Sequence, residues 1–284
     1  MGSVSPPTYV VVGHVARDVA RDVARDGYVL GGTALYAALT ACRLGVGAAM
    51  LTSIPPDLDI DVLTGIELGV VPAERATVFD NRYGPSGRVQ YLRGRAADLG
   101  PDDIPASWQS AAIVHLGPIA DEVDPAIAAL FPRALRAATP QGWLRRWEPD
   151  GRVRPLPHAK IIPYLAGLDV VVVSEEDVAD DAGAVDAYRE CVRVVVLTRG
   201  ARGSTVYAGK GTLHVPAYAA CERDPTGAGD VFAAAFLVAY SREKDLLGAA
   251  RFAAAAAALV VEGTGPAAIP TAAQVAERMA VGAS

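Results

Sequence analysis

The segment Cys221–Phe236 reads CERDPTGAGDVFAAAF, with Asp224 and Asp230 on either side of Pro225-Thr226-Gly227-Ala228-Gly229 and an apolar, helix-forming run behind them. Gly227, Ala228 and Gly229 scarcely shield their own backbone, and the first N–H groups of a helix have no intrahelical partner. The helix dipole adds partial positive charge at that end, so the segment suits an anion, most naturally a phosphate. Asp230 falls in the first turn, at the edge of such a phosphate, where a carboxylate can take a proton from an attacking hydroxyl. Phosphoryl transfer needs both parts, charge stabilisation at the transferred group and orientation of the nucleophile. On local physics alone an ordinary capped turn, with Asp224 as the cap, accounts for the same residues equally well.

Positioning such a turn requires a scaffold, and the chain supplies alternating signals for one. Tyr9–Val12, Ala48–Leu51, Ala112–His115, Val170–Val173 and Val194–Leu197 are continuously apolar and β-branched, the pattern of strands buried on both faces. Thr33–Leu44, Pro125–Leu135 and Gly227–Tyr240 carry helix formers at helical spacing, as does the stretch from Asp245 to the Glu262–Pro266 cluster, and a last helix is expected from about Thr271. The alternation predicts an α/β sandwich around a mostly parallel sheet. Ser204–Ala208 and Thr212–Val215 read as a hairpin, and Thr77–Asn81 with Arg88–Tyr91 as a second, more polar one that suits a flap. Val15–Asp26 repeats Val-Ala-Arg-Asp three times, which predicts a short solvated helix or a lengthened loop.

With 284 residues, half of them hydrophobic and 20% charged, the chain can bury a substantial core in one large domain or two small ones. A net charge of −6 offers no nucleic-acid surface, although a few local donors can still hold an anionic ligand. Cys42, Cys191 and Cys221 are far apart, with no CxxC, and the four histidines are scattered; a disulfide framework or zinc site is not expected, and a reducing cytoplasm fits. The N-terminus does not read as a signal peptide or a myristoylation site, and no uninterrupted apolar run reaches membrane-spanning length. Gly45-Val46-Gly47 follows a helix and lacks the third glycine of a dinucleotide fingerprint, and Gly209-Lys210-Gly211 is not a Walker A loop.

Taken whole, DPTGAGD followed by VFAAAF resembles the C-terminal signature of the ribokinase-like carbohydrate kinases, the PfkB family. The resemblance covers most of the chain: Gly31-Gly32-Thr33 to Leu44-Gly45 is similar to the family's diglycine motif and helix, Leu197–Ser204 to its strand-to-turn element beside the nucleotide, and Pro140–Arg145 to the segment that supplies a basic residue. It implies a single three-layer α/β/α domain over residues 1–284 with a small β lid from about 15–30 and 77–91. It also implies an ATP- and Mg²⁺-dependent kinase acting on a hydroxyl of a small substrate.

Residue by residue, the resemblance makes Asp230 the base, Gly227, Ala228 and Gly229 the anion hole, and Arg145 a cationic partner, while Asp224 shapes the loop. Asp18 or Asp22, Gly31, Gly32, Arg88 and Gln90 would face the substrate. Thr198, Gly200, Gly203, Thr226, Gly227, Gly229, Gly263 and Gly265 would line the nucleotide site. Where the family has an N-x-x-E element this chain has Ser174-Glu175-Glu176-Asp177, which leaves Asp177 first and Glu176 second as water-mediated magnesium ligands. Tyr36 stands where many sugar kinases of the family have Asn. The short lid, Gly13-His14 with Asp18, and Gln141–Arg145 resemble the inositol-kinase-like branch, so a sugar or a cyclitol is the expected substrate. A nucleoside, its base stacked on Tyr83 or Trp143, is the alternative, and a ligand-sensing pseudokinase is another. Pairing through the lid would give a homodimer.

Overall fold

The computed structural model describes residues 6–19, 27–84, 87–178, 181 and 183–282, without the side chains of 83, 84, 87 and 88. In chain order the N-terminal half holds β1 (Tyr9–Val12), β2 (Ala16–Val19), β3 (Val29–Gly31), α1 (Thr33–Arg43), β4 (Ala48–Ile54), β5 (Glu67–Pro72), β6 (Thr77–Gly84), β7 (Gly87–Gly94) and β8 (Ile113–Leu116). The rest holds β9 (Leu135–Ala138), β10 (Arg145–Trp147), β11 (Val153–Pro155), β12 (Val170–Ser174), α2 (Ala184–Cys191), β13 (Val194–Thr198), β14 (Ser204–Ala208), β15 (Gly211–Val215), α3 (Ala228–Glu243), α4 (Leu246–Val260) and α5 (Ala272–Val281).

A nine-stranded sheet in the order β15-β14-β13-β12-β9-β8-β1-β4-β5 forms the middle layer. It is parallel from β5 through β13, and only β14 runs against the rest. Its side chains alternate between two cores, as a period of two demands. Val11, Met50, Val170, Val172 and Val196 pack with α1, α3, α4 and α5. Val10, Val12, Leu51, Val171, Val173 and Val195 pack on the opposite face with Trp108, Phe131, Leu165 and the α2 residues Ala184 and Tyr188. The result is a three-layer α/β/α sandwich. Alanine lets α3 and α4 approach closely: Ala233, Ala234, Ala235, Ala249, Ala250, Ala253 and Ala255 are all buried. Among the described residues no helix is long and apolar enough to cross a membrane.

Two expectations are corrected. Pro125–Leu135 is not one helix; it is a 3-10 turn over Pro125–Leu130, capped by Asp124, and then strand β9. Pro132 ends the turn, because it lacks the donor a continuing helix needs and disfavours helical geometry at Phe131. Within the repeat, Ala16–Val19 is neither helix nor loop but strand β2; residues 20–26, Asp22 among them, lie outside the described residues.

β2 belongs to a separate four-stranded sheet, ordered β3-β2-β6-β7, over the carboxyl end of the main sheet. Its strands β6 and β7 run longer than the polar flap the sequence predicts, and Ala16, Phe79 and Leu92 bury a small core of their own against Ile119 and Ala120. A ribbon of β10 and β11 flanks it, with Arg152 bridging to Tyr91.

Candidate active site

Helix α3 begins at Ala228, with Gly227 as its N-cap in the left-handed region (φ 78°) and Asp230 in its first turn. Gly227 has two reasons to lack a side chain: the positive φ, and the Tyr36 ring, which a Cβ at that position would strike. Gly229 has open space around its Cα, so the backbone there is accessible to a ligand.

Asp230 Oδ1 accepts a 2.7 Å hydrogen bond from the buried hydroxyl of Thr33, the first residue of α1 and 197 positions away in sequence. The amino ends of α1 and α3 thus meet at the carboxylate. Burial is the main reason the Asp230 carboxyl is pushed up to about 6; the Thr33 hydrogen bond opposes the rise, the Asp177 charge adds to it, Arg145 opposes it and Asp18 adds to it. Asp230 therefore feels the charges of Asp177, Arg145 and Asp18, residues singled out from distant parts of the sequence.

Arg145 opens β10 and is half-buried; its guanidinium donates to the Ile119 carbonyl at 3.5 Å and lies 6.0 Å from the Phe79 ring of the lid. It is not a freely solvated loop residue. Asp224 accepts from the Thr226 N–H at 2.9 Å and from the Gly265 N–H at 3.4 Å, and so joins the glycine turn of α3 to the Gly263–Gly265 turn after α4. The N–H groups of Arg223 and Asp224 both donate to Val261 O, which fixes the same junction from the backbone side.

On the lid, Asp18 lies against Gly31, where a Cβ would land on its carboxylate. Asn81 Nδ2 donates to Asp18 Oδ1 at 3.3 Å, and Gln90 Nε2 donates to Asn81 Oδ1 at 2.9 Å. Asp18 and Gln90 are thus joined through Asn81, which sequence reasoning missed. The bond from Thr33 to the base was missed as well, although Thr33 directly follows the diglycine. The Arg88 backbone pairs with Tyr83 in the β6–β7 hairpin, and both side chains lie outside the described residues.

Ser174 and Asp177 hold each other: the Ser174 hydroxyl donates to Asp177 Oδ2 at 2.7 Å, and the Asp177 N–H donates back to Ser174 Oγ at 3.2 Å. Glu175 pairs with Arg202, and Glu176 is exposed. Thr198, at the end of β13, pairs in register with Ser174, and its hydroxyl returns to the Val173 carbonyl at 3.4 Å. Gly200 and Gly203 frame the 3-10 turn that follows. Among the described residues no three His, Cys, Asp or Glu side chains cluster to hold a metal by themselves. Magnesium keeps several waters and needs only one or two carboxylates beside substrate phosphates, and Asp177, near enough to act on Asp230, suits that role. Trp143 is buried, its indole N–H donating to the Val123 carbonyl at 2.9 Å, and so is not available to stack a base.

The chain is similar to several known kinases. The chain is 32% identical over 191 residues to the 2-dehydro-3-deoxygluconokinase of Thermoproteus tenax, a stretch covering 63% of this chain and 58% of that protein. It thus spans under two thirds of that curated relative. It is 26% identical over 255 residues to the cytidine kinase of Thermococcus kodakarensis, covering 84% of this chain and 90% of the relative. A solved pyrophosphate-dependent kinase of the ribokinase family, complexed with a pyrophosphate analog and myo-inositol, shares the fold with a TM-score of 0.78 and 23% identity over 95% of this chain and 100% of that one. The profile of the pfkB family carbohydrate kinases matches residues 103–272, well over half of the sequence. On that match, with a ribokinase-like α/β/α fold beneath it, the chain belongs to the pfkB family of carbohydrate kinases.

Proposed function

We propose that this chain transfers the γ-phosphoryl group of ATP to a hydroxyl of a small sugar or polyol, with Asp230 as the general base. The observation that carries the proposal is Asp230 itself: a carboxylate in the first turn of α3, one residue past the bare backbone of Gly227, Ala228 and Gly229, held by Thr33 and pushed up to about 6. A base with that affinity is ionised at neutral pH and more proton-hungry than an ordinary aspartate.

The acceptor lies under the lid, its hydroxyls met by Asp18 and by Gln90 through Asn81, and one of them points at Asp230. The N–H groups at the start of α3, of which that of Ala228 also donates to the Pro225 carbonyl at 3.2 Å, receive the transferred group's oxygens, Arg145 balances their charge, and Asp230 takes the proton as the hydroxyl oxygen attacks phosphorus. The phosphates of the nucleotide run along the turns at Thr198–Gly203 and Gly263–Gly265 towards Thr226. Magnesium bound beside Asp177 would neutralise phosphate charge. A cyclitol is the favoured acceptor within the polyols, on the short lid and the Gln141–Arg145 element. Asp18, Asn81 and Gln90 on the lid are hydrogen-bonding groups suited to hydroxyls, and the buried Trp143 removes one of the aromatic platforms a nucleoside would use. We also place the reaction in the cytoplasm and assign the edges of the lid sheet to pairing between two copies.

A coupled ADP-release screen over sugars, cyclitols and nucleosides tests the reading: turnover with a polyol is expected, and turnover confined to nucleosides would refute the acceptor class. Asp230→Asn is expected to lower kcat by about 10²–10⁴-fold with ATP affinity retained, the range for loss of a general base. Wild-type activity in that variant would refute the mechanism.

A further inference from the structure

Tyr36 lies one turn after Thr33 on α1, and 1% of its surface is exposed. Its ring rests on Gly227, the N-cap of α3, so closely that no Cβ fits between them. Its hydroxyl is buried and, among the described residues, has no hydrogen-bond partner. A buried donor without an acceptor is a net cost to folding, and native chains rarely leave one without a use. A phenylalanine would fill the same space without that cost.

The surroundings of the hydroxyl indicate the use. Burial first, and then the charges of Asp224, Asp230 and Asp18, raise its pKa, so it remains a neutral donor. Those three carboxylates are the acids of the glycine turn, of the first turn of α3 and of the lid. The hydroxyl therefore sits amid the anion cradle, the base and the acceptor-side acid, with a proton to donate and, among the described residues, no protein atom taking it.

We propose that Tyr36 is a ligand-contacting residue of this site, its hydroxyl donating to an oxygen of the molecule held at the amino end of α3 while its ring limits the room beside Gly227. The proposal rests on the phosphoryl-transfer reading above for what that oxygen is: a phosphoryl oxygen of the donor or a hydroxyl of the acceptor. Either is an unpaired acceptor reaching the same place.

Tyr36→Phe keeps the ring and removes only the donor. The variant is expected to melt at the same temperature as the wild type or higher, since it loses an unsatisfied buried group. Its thermal shift with bound ligand is expected to be smaller, and kcat/KM about tenfold lower or more, the scale of one lost hydrogen bond to a charged group. Two arms separate the sources of the oxygen. A diminished shift with pyrophosphate or a non-hydrolysable ATP analogue assigns the contact to phosphoryl oxygens. A raised KM for the acceptor, with the nucleotide shift intact, assigns it to a hydroxyl. If ligand shifts and kcat/KM both match the wild type, the proposal is overturned. A lower melting temperature without ligand, with the ligand shift unchanged, overturns it too, because the hydroxyl would then serve the fold. Should the wild type transfer phosphate to no acceptor, the functional reading fails, while the pyrophosphate arm still decides the role of Tyr36.

Discussion

Proton abstraction by Asp230, as proposed above, needs that carboxyl ionised, so the pH profile should carry its signature. With its carboxyl pushed up to about 6, kcat/KM is expected to fall on the acid side with a limb near that pH, well above the ordinary carboxylate value of 3.8. The Thr33 hydrogen bond favours the charged form; Thr33→Val removes it, and the limb should move to higher pH. A limb that stays in place in the valine variant would show that Thr33 does not tune the base. Linkage gives the stability side of the same shift. A carboxyl raised on folding contributes stability that is complete below its unfolded value near 3.8 and is lost as pH rises through about 6. Asp230→Asn, which does not ionise, should therefore be more stable than the wild type at pH 8, by up to about 3 kcal/mol, with the difference gone by about pH 4. Thermal melts at the two pH values check this, and the result would be a trade of stability for activity at one residue.

At the scale of elements, the start of α3 separates two kinds of glycine. Ala at Gly227 faces a positive φ and the Tyr36 ring, so Gly227→Ala should cost roughly 1–2 kcal/mol or more and disable the site. Ala at Gly229 meets nothing within 4 Å and should leave the melting temperature unchanged or higher, yet raise the KM for ATP by covering the cradle backbone. A melting temperature equally lowered in both variants would contradict this division. On the lid, Asn81→Ala severs Gln90 from Asp18 and should raise the acceptor KM about tenfold with the KM for ATP unchanged, the split expected when only acceptor binding is lost. Much of this was legible in the sequence. The valine runs of β1, β12 and β13 announce buried parallel strands, and DPTGAGD announces the turn and its helix. Strand β9 was not legible, because Leu-Arg-Ala-Ala is a helix-former's sequence and only its neighbours β8 and β12 make it a strand. Nor were the Thr33 bond, Asn81 and the Tyr36 contact, since each is defined by a partner that local pattern does not name.

At the scale of the whole molecule, the lid needs a fixed bearing on the main sheet, and a buried polar cluster supplies it. Glu122, 1% exposed, accepts from the N–H groups of His14 at 3.0 Å, Ile119 at 3.0 Å and Ala120 at 2.6 Å. This ties the chain leaving β1 to the chain leaving β8. The His14 side chain then reaches the lid: Nε2 donates to the Ala97 carbonyl at 2.7 Å, and Nδ1 accepts from the Thr77 hydroxyl at 2.7 Å. Ile119 also offers the carbonyl that holds Arg145. One cluster therefore sets both the lid strand that leads to Asn81 and the arginine whose charge acts on Asp230. His14→Ala empties its centre and leaves the Ala97 carbonyl and the Thr77 hydroxyl short of a partner, a cost of about 1–3 kcal/mol for a buried unsatisfied group. Loss of stability alone would be unremarkable for a buried histidine. The specific expectation is that acceptor KM rises and kcat falls together, at temperatures where the variant is fully folded, because the lid and Arg145 shift relative to Asp230. Hydrogen exchange should show the lid strands β6 and β7 less protected than in the wild type while β12 and β13 are unchanged. A variant that is merely less stable, with wild-type kinetics below its melting range, would show that the lid is positioned by its own small core and not by His14.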